Sequence, residues 1–396
     1  MLIFKNKNRY TLMRGLKLVW GVFVTLLAVF VPRQDRIVIT ASHNTSFNDN
    51  ARAMFIALYN RYEWRHKVFF VLNDSQRVAE LNQIYPGRFL TNTSLSNLLL
   101  ILSARVWMTS SLEFPAPGYF NRHLRTVYHL GHGMPYKISG LLEGSAGWLK
   151  RFYYKLVTTN ISYTWATTDF FKQPIADIYG VPLSRVLVLP QPKTGLLAHP
   201  AENAPMLLKD RKFTHLLYAP TWRHYADVRL FPFDDLNFSV LRDFLEKNGI
   251  VIWFRFLPKY DQELDREWLT SGHIQRLSAI EYDEVNEYLP YFDGLLTDYS
   301  SLYLDYLLLC RPVIFLDYDI DAFQKEVGLV EGVEKIKIGK TIDNMGDFTD
   351  VLLTVCTSKV DAERYNEANA LVNYDLPANK ILDFLVDKMQ SMLMHA

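Results

Sequence analysis

The segment from Gly294 to Asp319, GLLTDYSSLYLDYLLLCRPVIFLDYD, constrains the fold more than any other part of the chain. A short apolar run stops at Thr297-Asp298-Tyr299, two serines follow, a mostly apolar stretch comes next, and Arg311-Pro312 opens a second apolar run, Val313–Leu316. That succession reads strand, turn, helix, strand. Two strands joined through a helix lie parallel in one sheet, so the turn after the first strand sits at the sheet's carboxyl edge. The first amides of a helix lack backbone partners and carry the positive end of its dipole, and the hydroxyls of Ser300 and Ser301 add donors there, so the turn suits a phosphate. Serine and aspartate also cap helices routinely, and Asp298 or Ser300 in that role alone explains the same pattern.

The alternation recurs along the chain. Strands are expected at Arg36–Thr40, Val68–Leu72, Arg105–Thr109, Thr126–Leu130, Thr164–Thr167 and Val186–Leu189, with helices at Leu95–Ser103, Leu149–Val157 and Phe170–Tyr179. From Gln191 to Lys212 the pattern lapses into proline, glycine and mixed polar residues, the composition of an interdomain linker. It resumes with strands at His215–Tyr218, Ile250–Phe256, Gly294–Thr297 and Val313–Leu316, and helices at Val240–Lys247, Asp283–Tyr291 and Ser301–Leu309. The expected fold is α/β: two Rossmann-like doubly wound domains of the GT-B type facing a central cleft, preceded by an apolar helix. The expected divisions are a basic and apolar membrane-associating segment at 1–34, a Rossmann-like domain at 35–190, the linker at 191–212, a second Rossmann-like domain at 213–346 and helices at 347–396.

The 396 residues carry a formal net charge of +1, which hides an asymmetry. Residues 1–34 hold six basic side chains and no acidic one, leaving 37 basic against 42 acidic residues in the rest. A body of that balance has no global field for nucleic acid. Leu16–Val31, LKLVWGVFVTLLAVFV, is nearly all apolar, yet at about 1.5 Å per residue it reaches roughly 24 Å, short of the ~30 Å hydrocarbon core. A helix lying in the membrane interface with its basic flank on anionic headgroups is the first reading; a single span, a cleaved signal and a core helix are the alternatives. Two cysteines, Cys310 and Cys356, argue against a disulfide framework or a thiolate metal cluster.

Several loops at strand ends hold chemistry. Val127–Lys137, VYHLGHGMPYK, presents His129, His132 and Lys137 around a Gly-His-Gly turn. An imidazole with an ordinary pKa near ~6.5 is poised to take the proton of an attacking hydroxyl, and flanking glycines let a turn present the ring to a cleft. His129, closer to the strand, reads as a packing histidine. Lys137 is either a point charge for a phosphate or plain surface. Tyr218–Arg223, YAPTWR, places Thr221 and Arg223 at another strand end, where a guanidinium suits a diphosphate or forms a surface ion pair. Arg255 ends the next strand. Asp305 lies one helical turn after Ser301, facing a ribose hydroxyl or solvent. Asp317, Asp319 and Asp321 alternate past the last apolar run, and acids so placed are often solvated, so no metal is assigned to them.

TDYSSLYLDYLLLCRPVIFLDYD resembles the signature of the CDP-glycerol glycerophosphotransferase family, which primes and polymerises teichoic acids and related phosphodiester polymers. VYHLGHGMPYK is similar to that family's tryptophan-histidine-glycine-threonine-proline stretch, with His132, Gly133, Pro135 and Lys137 in matching places and Gly131 and Met134 departing from it. YAPTWR resembles its tyrosine-alanine-proline-threonine-aromatic-arginine motif. Arg255 and Pro258 match an arginine-x-histidine-proline pattern in which Leu257 replaces the histidine, and Ser46–Ala53 is similar to the family's first loop.

The resemblance implies transfer of glycerol phosphate, or a related alditol phosphate, from CDP-glycerol to a hydroxyl of a lipid-linked saccharide or growing polymer, with release of CMP. The polymer is of the teichoic acid, capsule or O-antigen kind. It implies His132 as general base, and Lys137, Thr221, Arg223, Arg255, Asp298, Ser300, Ser301 and Asp305 around the donor. It requires no cofactor and no divalent metal. The implied location is peripheral, on the cytoplasmic face of the cell membrane at the inner leaflet. Leu257 and Met134 keep open a glycosyltransferase of the same fold using a nucleotide-sugar donor, and a non-catalytic binder of CDP compounds is the third class.

Overall fold

The structure is a computed structural model that describes residues 19–144, 147–256, 272–357 and 360–394. Leu257 and Pro258, and the first three residues of the apolar stretch Leu16–Val31, lie outside the described residues.

Strands β1 Gln34–Thr40, β2 Val68–Val71, β3 Phe89–Leu90, β4 Ala104–Thr109, β5 Thr126–His129, β6 Tyr163–Ala166 and β7 Val186–Val188 form one sheet in the order β3-β2-β1-β4-β5-β6-β7. A second sheet holds β8 Thr214–Ala219, β9 Ile250–Phe254, β10 Ile274–Arg276, β11 Gly294–Thr297, β12 Val313–Phe315 and β13 Lys340–Thr341, in the order β10-β9-β8-β11-β12-β13. Every neighbouring pair is parallel. Val68–Val71 and Ile250–Phe254 are buried along their whole length, as a parallel sheet covered on both faces requires. Each strand order reverses once, between β1 and β4 and between β8 and β11, and the diverging loops leave a crevice at the carboxyl edge there.

The register brings the chemistry-bearing loops together. Thr40 pairs with Thr109 and Thr109 with His129, so the loops after β1, β4 and β5 leave the front sheet side by side. Thr297 pairs with both Ala219 and Phe315, so the YAPTWR loop, the serine turn and the acids after β12 leave the back sheet together. The two edges meet directly: Lys137 bridges Leu329 in antiparallel fashion, Ile138 N–H donates to Gly328 O at 3.0 Å, and Val330 N–H donates to Tyr136 O at 3.1 Å.

Two features differ from the sequence reading, and two more add to it. Strands β3, β10 and β13 are two or three residues long, too short to show an apolar period. Asp283–Tyr291 is two 3₁₀ turns, Val285–Glu287 and Leu289–Tyr291, because Pro290 has no N–H for an α-helical ladder and the Glu284 side chain captures the Asn286 amide. Part of the expected linker is packed: Pro192–Leu197 are buried between helix Asp49–Asn60 and the final helix, Ala378–Met394. That final helix crosses back to the front domain, where Ile381, Leu385, Val386 and Met389 join the core around β1 and β2.

Ahead of β1, residues 19–30 are helical, an extent of about 18 Å. Among the described residues, no helix is long and apolar enough to cross a membrane.

Candidate active site

The serine turn begins where β11 ends. Asp298 is buried, and its carboxylate accepts from Thr221 N–H at 2.8 Å, Tyr299 N–H at 2.7 Å and Arg223 Nη1 at 2.9 Å. Burial pushes the Asp298 carboxyl up, and Arg223 pulls it back toward ionisation. Ser300 Oγ accepts from Leu302 N–H at 3.3 Å, a capping bond that leaves its own hydroxyl hydrogen free to donate. The α-helix that follows is short, Leu302–Tyr306, and continues as a 3₁₀ turn to Leu309.

Arg223 is not at the cleft surface. Its side chain is 0% exposed, with Nε and Nη2 each 2.7 Å from the Asp319 carboxylate and Nη1 bonded to Asp298 and to Thr221 O. Burial disfavours its charge, but the two carboxylates more than offset that and hold the guanidinium protonated. Of the two readings of Arg223, diphosphate contact or ion pair, the ion pair is the one present here: Asp319, Asp298 and Thr221 O engage the guanidinium inside the back domain, where it ties the YAPTWR loop to the serine turn. Arg255 is likewise engaged, donating to Tyr282 O at 2.7 Å and Asp283 O at 3.3 Å. Of the alternating acids, Asp319 belongs to Arg223 and Asp317 to Lys337.

The front edge brings its own loop against this turn. Gly131 has φ +67° and Gly133 φ +135°, conformations that favour glycine, and they flank an exposed His132. A Cβ placed on Gly133 would stand 3.3 Å from Ser301 Oγ and 3.5 Å from Lys193 Nζ, so the missing side chain is what admits the serine. No hydrogen bond to the Ser301 hydroxyl occurs among the described residues. Lys137 follows on the same loop, within electrostatic reach of Asp298 and Arg223. Burial lowers its pKa, Asp298 opposing, and no carboxylate pairs with its Nζ among the described residues. His129 is the packing residue expected: buried, with Nδ1 3.3 Å from Thr164 Oγ1, its ring against Tyr179, and its pKa pushed down to about 3 by burial.

Lys193, from the stretch read as linker, joins the two halves. Its Nζ lies 2.8 Å from Asp305 Oδ2, 3.8 Å from Asp49 Oδ1 and 3.4 Å from His132 O, while its N–H donates to Asn50 Oδ1. Burial opposes its charge, and Asp305 and Asp49 restore it. Asp305, expected to face a ribose hydroxyl or solvent, is buried here, and its carboxylate also accepts from Gln191 Nε2 at 3.1 Å and Asn286 Nδ2 at 3.5 Å.

Asp49 has a left-handed φ of +62°, and its N–H donates to buried Glu284 Oε2 across the domain interface. Burial raises the Asp49 carboxyl against the pull of Lys193 and His132, and burial together with Asp49 raises Glu284 to about 7. Sequence reasoning missed Lys193 and Glu284. Lys193 sits just past β7 at the same carboxyl edge, which is the one signal available; Glu284 has none.

Two doubly wound domains whose facing edges oppose an imidazole and a cation to a serine turn define a nucleotide-dependent transferase of GT-B-like architecture. The chain belongs to the CDP-glycerol:poly(glycerophosphate) glycerophosphotransferase family, which it matches over residues 23–375. Over 362 residues it is 22% identical to the teichoic acid glycerol-phosphate transferase of Staphylococcus aureus (strain NCTC 8325 / PS 47), covering 86% of this chain and 88% of that one. It is 27% identical over 188 residues to the teichoic acid ribitol-phosphate polymerase TarL of the same strain, covering 45% of this chain and 33% of the polymerase. The wall teichoic acid polymerase TagF shares the fold, with a TM-score of 0.74 at 18% identity over 98% of both chains.

Proposed function

We propose that this enzyme transfers an alditol phosphate from a CDP-alditol, glycerol first among them, to a hydroxyl of a lipid-linked saccharide or growing polymer at the inner leaflet of the membrane. The acceptor oxygen forms a bond to the β-phosphorus, the bond from that phosphorus to CMP breaks, and the acceptor proton passes to the His132 imidazole. Lys137 and the hydroxyls of Ser300 and Ser301 hold the donor phosphates and the charge that develops on them. Arg223, Asp298 and Asp319 keep the serine turn rigid, and Lys193 with Asp305 sets the His132 loop against it. CMP is a better leaving group than an alkoxide, so positioning and charge stabilisation suffice without a metal.

The observation that supports this reading is the close approach of Gly133, the residue after His132, to Ser301. Peripheral attachment is supported by residues 19–30, where seven apolar side chains from Val19 to Phe30 are more than half exposed, and by the basic residues of the preceding sequence. The test is an assay of purified protein with CDP-glycerol, CDP-ribitol, and UDP- and CMP-sugars over a lipid-linked acceptor extract, reading CMP or UDP release and product mass. Acceptor-stimulated CMP release from a CDP-alditol is expected. Turnover of the sugar nucleotides alone, or of none, overturns the assignment.

A further inference from the structure

The front sheet carries a cavity of about 470 Å³ whose lining includes no residue of the serine turn. It lies at the carboxyl ends of β1 to β4, at the strand-order reversal where doubly wound sheets take ligands. Trp20, Tyr119 and Tyr153 supply aromatic faces, and His43, Thr93 and Glu113 supply polar edges. Its floor is preformed and strained. His43 and Asn44 both have left-handed φ, +58° and +55°, and Asn44 is locked by Thr40 Oγ1 at 2.5 Å and by its own Nδ2 donating to Phe114 O at 3.1 Å. Side chains other than glycine are held in that region where the surroundings enforce it, commonly at binding sites. His43 Nδ1 lies 3.3 Å from Glu113 Oε1, and the imidazole is mostly exposed.

One wall of this cavity is the apolar helix itself. The Gly21 Cα admits the Tyr119 ring, which would stand 2.8 Å from a Cβ there, and Thr25 Oγ1 accepts from Tyr119 N–H at 2.9 Å. The helix is thus fixed to the rim of the cavity while its opposite face stays exposed. On the neighbouring helix Trp148–Thr158, Trp148, Leu149 and Phe152 are exposed as well. An aromatic and polar pocket bordered by apolar surface matches a molecule that is sugar at one end and lipid at the other. A pyranose ring offers C–H faces to aromatic rings and hydroxyls to carboxylate, imidazole and threonine. The loop from His43 runs on to Asn50, whose side chain holds the carbonyls of Leu130 and Gly131 beside His132, so cavity and base share one sheet edge.

We infer that this cavity seats the saccharide of the lipid-linked acceptor, with the 19–30 helix serving as both its wall and its contact with the lipid surface. The inference rests on the proposed transfer reaction and adds to it the location of the acceptor. Two full-length variants test it from opposite directions: Glu113→Ala removes a polar contact and Thr93→Trp fills the mouth, both at partly or fully exposed side chains. Each is expected to raise the KM for a lipid-linked saccharide acceptor at least tenfold and to leave the KM for CDP-glycerol unchanged, with thermal unfolding midpoints like the parent's. The same saccharide freed of lipid is expected to inhibit the parent competitively against the acceptor and to lose that effect in both variants. An unchanged acceptor KM in both variants, with the parent active, overturns the cavity assignment alone. A parent that releases no CMP from any CDP-alditol overturns the transfer reaction beneath it.

Discussion

The two sheet edges that face each other in this enzyme are built on opposite principles. At the back edge the charged groups are matched by partners: Arg223 is 0% exposed and bonded to Asp298, Asp319 and Thr221 O, and Asp305 is buried among Lys193, Gln191 and Asn286. At the front edge His132 is exposed, and no carboxylate among the described residues pairs with Lys137. A charged group already matched inside the fold has little left to offer a ligand, whereas an unmatched one gains from a ligand what folding did not provide. Folding thus engages the guanidinium of Arg223 inside the back domain, while across the cleft it leaves His132 exposed and Lys137 without a carboxylate partner among the described residues.

That comparison breaks most visibly at His132. Replacing it with alanine is expected to lower kcat by about 10²–10⁴-fold with the KM for CDP-glycerol within a few fold and stability unchanged, measured by CMP release and thermal unfolding. Arg223→Ala should behave in the reverse way. It leaves Asp298 and Asp319 without their partner in a buried setting, a loss of about 3–5 kcal/mol in stability by chemical denaturation. An Arg223→Ala protein of parental stability that no longer binds CDP-glycerol would return the arginine to the donor.

The junction of the two edges gives a pH signature. Burial raises Glu284 from 4.5 to about 7, so the folded protein holds that proton more tightly than the unfolded chain does. The group costs nothing below its ordinary range. As pH climbs through 7 it comes to cost about 3 kcal/mol. Glu284→Gln is therefore expected to gain stability relative to the parent between pH 5 and pH 8, read from denaturation at both; a constant difference would show that the carboxyl titrates normally. The smallest effect sharpens the front edge: Lys137→Ala should raise the KM for CDP-glycerol by the about 1.5–3 kcal/mol of a charge-assisted hydrogen bond, without a change in folding stability.

Much of the fold was legible because apolar periodicity is a local property. Leu95–Ser103 was read as a helix with the bounds it has, since its buried residues, Leu98, Ile101 and Leu102, recur at helical spacing and Ser94 caps it through Asn97 N–H. Pro192–Leu197 reads as part of an interdomain linker for the same reason: proline and glycine signal loops, and nothing local tells a surface loop from one clamped between two helices. The candidate site divided along the same line. His132 stands out beside its glycine turn and the serine pair beside a strand end, but Lys193 and Glu284 acquire meaning from distant neighbours, Asp305 and Asp49 for the lysine and Asp49 for the glutamate.

The sequence by itself determined the two parallel sheets, the loops at their carboxyl edges and the family, since each depends on order along the chain. Only the tertiary structure decided which charges are free. Whether Arg223 or Lys137 is left to meet a phosphate depends on what lies within about 4 Å of its nitrogens, and those partners come from strands and loops that meet only when the sheets close.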